Sequence, residues 1–268
     1  MQSDNVVPLN QLLEEKYGRA ICYPKYDIEE LKRRLEDLKK LGVVSLAFSG
    51  EKSVFGTPVL GKGCVGIVVT AHTANGRAAL KIRRLDADRL SMFHEAEMLI
   101  KANDLGVGPK FINVTSDLLL MSLVEGTPFF RWVDTLKGRG TRLRLRRVLR
   151  QIVEQCYRLD QGCLDHGELS NAPKHIIVDS NDVPLLLDFE TASTDRRVSN
   201  VTSVSQYIFL KSKTAKKIKR KLGGIPEKEL VEGLKAYKKN GMRENFEKIL
   251  KLCNLAAVEN LKTASKID

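Results

Sequence analysis

The stretch of sequence that decides the fold is LDHGELSNAPKHIIVDSNDVPLLLDFETAS, residues 164–193. Two apolar runs, Ile176–Val178 and Leu185–Leu187, flank Asn181-Asp182, a pattern that predicts a β-hairpin with a turn at this dipeptide. The hairpin would bring to one end the two acidic signals that border it, which are His166-Gly167-Glu168 and Asp188-Phe189-Glu190. Phosphoryl transfer requires one carboxylate beside a substrate hydroxyl and another beside a metal-bound phosphate. The stretch therefore predicts a phosphotransferase.

The composition is that of an ordinary globular protein. The chain has 268 residues, 43% of them hydrophobic and 29% charged, which suffices for one large or two modest domains. Its longest nearly uncharged runs have the length of strands, and the N-terminus lacks the apolar core of a signal peptide, so we expect no membrane partner. The five cysteines are scattered without a CxxC pair. This argues against a zinc site or a disulfide framework and predicts a cytoplasmic location.

The net charge of +12 is concentrated in two segments. Residues 137–150 contain no acid, and neither do residues 196–226, which include the run KSKTAKKIKRKL at 211–222. Basic segments can bind phosphates, so RNA or a ribonucleoprotein is a candidate partner of 137–150 and 211–222. The alternative is a solvated helix face, since no aromatic residues alternate with the lysines to stack on bases.

The chain is predicted to be an α+β protein with three parts. Residues 1–50 are predicted to form an N-terminal helical extension, because Ile28, Leu31, Leu35 and Leu38 recur at helical spacing. Residues 51–125 are rich in β-type runs and contain one helix, and residues 126–268 are mainly helical.

Three β-type runs, Val54–Leu60, Val65–Thr73 and Arg77–Ile82, surround the segment GKGCVGIV at 61–68. In a Rossmann fold this glycine pattern would precede a helix. Here β-type residues lie on both sides, which favours a glycine-rich hairpin over nucleotide phosphates. A hairpin without a ligand is the alternative.

Lys81 lies between apolar residues of the third run, so its buried stem would carry an ammonium that needs an anionic partner such as a phosphate. A helix is predicted over roughly Ala87–Ala102, with Glu95 and Glu97 two residues apart. Only one of them can reach Lys81. Apolar residues flank Glu95, which favours Glu95 as the partner of Lys81. The alternative for either glutamate is an exposed position on the helix surface.

The order of glycine loop, Lys81, Glu95, HGE and DFE resembles the protein-kinase-like superfamily over roughly residues 53–193. The chain looks closest to the small atypical kinases of the RIO type and to the kinase subunit of the KEOPS complex, and it is similar to an archaeal group of predicted serine/threonine kinases. The resemblance implies a bilobal fold: a β-rich N-lobe with one helix and a reduced, mainly helical C-lobe, in addition to the N-terminal extension.

The resemblance also implies the roles of individual residues. Lys81, oriented by Glu95, would hold the α- and β-phosphates of ATP, and Glu125 would line the adenine pocket. Glu168 would accept the proton of the substrate hydroxyl, and Asp188 would bind Mg²⁺. The loop that covers the phosphates would consist of Gly61, Lys62, Gly63, Gly66 and Val68.

Three positions depart from the family pattern. Glu168 replaces an aspartate, which moves the carboxylate by about 1 Å or more. Pro173 stands where the family has a metal-binding asparagine, so Asn171 and His175 are the candidate ligands, with a structural polar role as the alternative for each. Glu190 replaces the glycine of DFG, and DFETA also resembles aminoglycoside and choline phosphotransferases.

The leading interpretation is an ATP- and Mg²⁺-dependent atypical serine/threonine protein kinase with an unknown protein substrate. One alternative is a small-molecule phosphotransferase of the aminoglycoside or choline type. The other is a nucleotide-binding pseudokinase or ATPase-like switch that docks on RNA or a ribonucleoprotein.

Overall fold

The computed structural model describes residues 5–256, apart from the side chains of residues 171–173. The chain divides into two compact units. The first contains the residues up to Val124 together with Asp188–Ala192, and the second contains Glu125–Leu187 and the residues from Ser193 onward. The short segment that begins at Asp188 thus belongs to the first unit, although its neighbours in sequence belong to the second.

The first unit is built on a seven-stranded antiparallel sheet with the order β1-β2-β6-β7-β9-β8, in which β5 pairs with β6. A separate hairpin joins β3 and β4. The strands are β1 Asn5–Pro8, β2 Val43–Phe48, β3 Lys52–Val54, β4 Thr57–Val59, β5 Gly61–Lys62, β6 Gly66–Thr73, β7 Gly76–Arg83, β8 Phe111–Val114 and β9 Leu118–Ser122. The helices are α1 Glu15–Ile21, α2 Ile28–Lys40 and α3 Phe93–Asp104.

The predicted helical extension over residues 1–50 is wrong in part, because this segment contributes two strands to the sheet. β1 pairs with β2, and β2 pairs with β6. All residues of β2 except Val44 are buried, as expected for a strand inside a sheet. The predicted helix α2 is present, and Leu31, Leu35 and Leu38 of its apolar stripe are buried in the core that the sheet covers, whereas Ile28 is exposed.

Helix α2 is fixed to the sheet by a buried arginine. The Arg34 side chain is fully buried, and its Nη1 donates to the backbone oxygens of Ile21 at 2.6 Å and Arg83 at 2.8 Å. Its Nε donates to Glu30 at 2.7 Å. A buried cation is tolerated only when it is paired and hydrogen-bonded in this way. Residues 5–50 are therefore an integral part of the first unit.

Two further elements of the first unit differ from the sequence predictions. The run Val54–Leu60 is divided by a turn, because Phe55 and Gly56 both have positive φ, 48° and 78°. Helix α3 begins at Phe93 rather than near Ala87. No glycine or proline marks the loop before it. The backbone amides of Leu85 and Met92 donate to other parts of the unit, namely the oxygens of Tyr23 at 2.9 Å and Ser116 at 2.8 Å.

The second unit is mainly helical, with one three-stranded antiparallel sheet of order β10-β11-β12. Its strands are β10 Thr127–Pro128, β11 Ile176–Val178 and β12 Pro184–Leu186. Its helices are α4 Phe129–Thr135, α5 Thr141–Gln161, α6 Asn200–Ser205, α7 Lys213–Leu222, α8 Glu227–Asn240 and α9 Arg243–Leu252, with a π-helical turn over Gln206–Lys211. The α+β class, with a β-rich N-terminal part and a helical C-terminal part, is confirmed.

The hairpin predicted from the opening stretch is present as β11 and β12, in which Ile176 pairs with Leu186. Asp182 in its turn adopts a left-handed conformation with φ of 60°. Its carboxylate accepts hydrogen bonds from Trp132 Nε1 at 3.0 Å and from Arg144 Nε at 2.7 Å. These two donors hold the turn on α4 and α5 and offset the cost of its strained backbone.

Within residues 5–256 we find no helix that combines the length and the apolar character needed to cross a membrane.

Candidate functional site

The glycine-rich segment forms a tight hairpin between β5 and β6. Gly61 pairs with Val68 and Lys62 with Ile67, and the Gly63 amide donates to the Gly66 oxygen at 2.8 Å. Gly66 has to lack a side chain, because a β-carbon there would lie 2.9 Å from Cγ of Lys81. The glycine thus makes room for the stem of Lys81.

Lys81 lies in β7 opposite Val68 of β6, and the two-residue turn Ala74-Asn75 that joins these strands sets this register. Its side chain is 7% exposed. The ammonium donates to three carboxylates of the same unit: Glu95 Oε1 at 2.8 Å, Asp188 Oδ1 at 2.9 Å and Glu190 Oε2 at 2.8 Å. We call these four residues the lysine cluster.

Glu95 reaches Lys81 from the first turn of α3, where it is buried. Glu97 is exposed and pairs with Lys101 one helical turn away. Of the flanking apolar residues that favoured Glu95, Ala96 and Leu99 are buried, whereas Phe93 is exposed. The other carboxylate oxygen of Glu95, Oε2, is buried without a hydrogen-bond partner among the described residues.

The segment Asp188–Ala192 is anchored within the first unit at two points. The Phe189 ring is buried against Gly108, where a β-carbon would lie 2.8 Å from the ring. His94 Nε2 lies 3.0 Å from the Ala192 oxygen. Asp188 itself has φ of 71°, an uncommon conformation for a residue with a side chain. Backbone strain of this kind is typical of functional sites. Here the strained residue is the one whose carboxylate contacts Lys81.

The electrostatics of the lysine cluster are dominated by an excess of negative charge. Burial lowers the pKa of Lys81, but Glu95, Asp188 and Glu190 outweigh burial and raise it above its ordinary value, so the ammonium stays charged. Burial raises the pKa of Glu95 to about 7, with Asp188 and Glu190 acting in the same direction against the attraction of Lys81.

The three carboxylates of the lysine cluster could hold a metal ion. Glu95, Asp188 and Glu190 each offer a carboxylate oxygen, and these oxygens lie within 4.8 Å of one another. Three carboxylates against one ammonium leave uncompensated charge, and Oε2 of Glu95 is a buried acceptor with spare capacity. Mg²⁺ binds through oxygen ligands of this kind.

The second unit carries the other acidic signal of the opening stretch. Glu168 Oε2 lies 2.8 Å from Nε2 of His175, which is buried. His166 is also buried, its Nε2 lies 3.0 Å from the Leu187 oxygen, and its ring meets that of His175 edge-on at 5.6 Å. A carboxylate fixed by a histidine can act as a general base, because the ring holds one oxygen in a defined position.

Sequence reasoning missed the residues that hold this segment. The backbone amide of His166 donates to Asn200 Oδ1 at 2.8 Å, and Asn200 Nδ2 donates to Asp160 at 2.8 Å. Tyr237 also donates to Asp160, at 3.0 Å. All three side chains are buried, and burial raises the pKa of Asp160 despite these hydrogen bonds. No motif in the sequence marks them.

The predicted site residues are thus distributed over the two units. Lys81, Glu95 and Asp188 meet in the first unit, together with the five residues predicted for the phosphate loop. Glu168 and His175 meet in the second, and Glu125 is its first residue. The predicted metal ligands Asp188 and His175 lie in different units, and the side chain of Asn171 lies outside the described residues. Glu190 supplies the additional carboxylate beside Asp188.

Comparison with models of known protein families found no match, and comparison with curated proteins found none either.

Proposed function

We propose that this protein is an ATP- and magnesium-dependent phosphotransferase of the protein-kinase-like superfamily, acting as an atypical serine/threonine kinase on a protein substrate. The observation that carries the proposal is the lysine cluster, in which Lys81 binds Glu95 of α3 and Asp188. Protein kinases use a strand lysine, a helix glutamate and a metal-binding aspartate to hold the phosphates of ATP. The glycine hairpin beside Lys81 supports the same assignment.

Each residue has a defined task in this proposal. Lys81 would hold the phosphates, since its raised pKa keeps it charged, and Glu95 would fix its ammonium. Asp188 and Glu190 would hold Mg²⁺, which neutralises phosphate charge as the phosphoryl group is transferred. Glu168 would accept the proton of the acceptor hydroxyl.

The remaining proposed roles concern binding and location. His175 would position the Glu168 carboxylate, and Glu125 would line the adenine pocket. The backbone of residues 61–68 would cover the phosphates. All five cysteines are unpaired, and we propose that the protein acts in the cytoplasm.

The test is transfer of radiolabel from γ-labelled ATP with Mg²⁺, to the protein itself and to a generic protein substrate. We expect transfer by the wild type and loss of at least about 100-fold in Lys81→Ala and Asp188→Ala, because each removes charge stabilisation of the transferred group. Glu97→Ala is the matched control, since Glu97 is exposed and pairs only with Lys101 among the described residues. Equal transfer by Lys81→Ala and the wild type would refute the proposal.

Glu190 supports a second candidate, a small-molecule phosphotransferase, because its carboxylate joins Lys81 at a position where protein kinases have glycine. The same assay with choline and with aminoglycosides as acceptors distinguishes the two. Transfer of the label to a small acceptor but not to protein would identify the chain as a small-molecule phosphotransferase. ATP binding in a Mg²⁺-dependent thermal shift, with no transfer to any acceptor, would indicate a nucleotide-binding switch.

A further inference from the structure

The two basic segments, which are separate in the sequence, lie side by side within the second unit. Helix α7 packs against α4 and against α5. Lys221 Nζ donates to the Leu136 oxygen at 2.7 Å, and a β-carbon at Gly223 would lie 3.6 Å from the guanidinium of Arg142. The end of α7 therefore adjoins the loop between α4 and α5 and the first turn of α5. We call the exposed cations of these adjoining elements the basic face, which comprises Lys137, Arg139, Arg142, Lys216 and Arg220.

The basic face is not neutralised by carboxylates of residues 5–256. Neighbouring cations have local carboxylate partners: Lys217 pairs with Asp134 at 2.5 Å, and Arg144 pairs with Asp182 at 2.7 Å. No member of the basic face has a carboxylate within 4.0 Å among the described residues. A cluster of exposed, unpaired like charges is unfavourable by itself and attracts polyanions.

The packing of α7 argues against a membrane as the partner. Its apolar residues Ala215, Ile218 and Leu222 are all buried in the protein. A helix that lies in a membrane interface needs an apolar face free to enter the lipid, and α7 has none to offer.

The side chains around the basic face also indicate how a nucleic acid would be bound. None of the aromatic side chains described in the second unit is exposed, so no ring is available to stack on bases. Lysine and arginine contacts to the phosphate backbone position a nucleic acid but carry no sequence information directly.

We propose that the basic face binds the phosphate backbone of nucleic acid without reading its bases. This function goes beyond phosphoryl transfer and does not depend on it, because none of the five residues belongs to the lysine cluster or to the pair of Glu168 and His175. With five cations on the face, the logarithm of the binding constant should fall with the logarithm of salt concentration with a slope of about −4.5 on duplex and about −3.5 on single strands.

The test is fluorescence anisotropy of the full chain with a labelled DNA duplex and a labelled single-stranded RNA between about 50 and 200 mM salt. We expect binding to both, independent of sequence. The variant Arg139→Gln/Arg142→Gln/Lys216→Gln/Arg220→Gln should reduce the slope to about −0.9 on duplex and about −0.7 on single strands, since one phosphate contact of the five remains. A far-UV circular dichroism melt checks that the variant is folded.

The matched control removes the same charge elsewhere, with Lys32→Gln/Lys39→Gln/Lys235→Gln/Lys239→Gln in exposed positions of α2 and α8. This control should keep the wild-type slope. Equal losses in both variants would show that only net charge matters and would overturn the proposal. Binding to vesicles of anionic lipid without binding to either nucleic acid would overturn it as well.

Discussion

The raised pKa of Glu95 makes the stability of the protein depend on pH, and one substitution should remove this dependence. A carboxyl whose pKa is about 7 in the folded chain, against an ordinary 4.5, holds its proton more tightly when folded. Between these two values the folded state binds more protons than the unfolded state, so the free energy of unfolding falls as the pH rises. The difference between these two pKa values corresponds to a change of at most about 3 kcal/mol in the free energy of unfolding.

The substitution Glu95→Gln removes this dependence while keeping the shape of the side chain. At about pH 5 the wild-type Glu95 is mostly protonated, so wild type and variant should have similar stability. At about pH 8.5 the wild type carries three carboxylates on Lys81 and the variant two. We therefore expect the variant to be the more stable at the higher pH, by up to about 3 kcal/mol, while phosphoryl transfer is lost.

The measurement is urea unfolding of both proteins at the two pH values, followed by far-UV circular dichroism. Glu97→Gln is the control, because its exposed side chain should give no pH-dependent difference. If Glu95→Gln were less stable than the wild type at high pH, the attraction of Lys81 would exceed burial and carboxylate repulsion, and the account of the lysine cluster given above would be wrong.

Three further substitutions test separate contacts. Gly66→Ala places a β-carbon against the stem of Lys81 and should lower transfer at least about 10-fold at a stability cost of about 1–3 kcal/mol, measured by the radiolabel assay and by urea unfolding. Glu168→Asp draws the carboxylate back from His175 and should lower kcat about 10- to 100-fold, with KM for ATP unchanged. Asn200→Ala leaves a buried backbone amide unsatisfied and should cost about 1–3 kcal/mol in urea unfolding.

For each of the three substitutions, one outcome would contradict the prediction. Wild-type transfer by Gly66→Ala would show that the lysine stem adjusts freely. Increased kcat in Glu168→Asp would show that the carboxylate of the wild type is displaced from its working position by the extra methylene. Wild-type stability of Asn200→Ala would mean that water replaces the lost acceptor. Gly138→Ala serves as a control for the glycine change, because no atom lies within 4 Å of a β-carbon there, although its positive φ of 75° adds some backbone strain.

Short sequence patterns were sufficient to predict those elements whose characteristic residues lie close together in the sequence. Asn181-Asp182 between two apolar runs gave the β11–β12 hairpin, and apolar neighbours of Lys81 gave a buried lysine in a strand. These features follow from side-chain periodicity over a few residues, which a single sequence displays directly.

Contacts between distant residues could not be predicted in this way. Glu190 binds Lys81 across 109 positions, and Asn200 binds the His166 amide across 34. Strand β2 was missed because its apolar run follows directly on the helical stripe of α2, and only pairing with β1 and β6 identifies it as a strand. Long-range pairing of this kind depends on the whole fold and leaves no local signature.

The position of β2 determines how the sheet would behave in a chain that began just before the glycine-rich hairpin. Without the first fifty residues, β6 would become an edge strand, and its backbone groups from Thr70 to Thr73 would lose the partners that β2 provides. An exposed edge with unpaired backbone groups is a template for pairing with another copy of the same sheet. The N-terminal segment thus protects the sheet of the first unit against edge-to-edge pairing, and a shortened protein should aggregate.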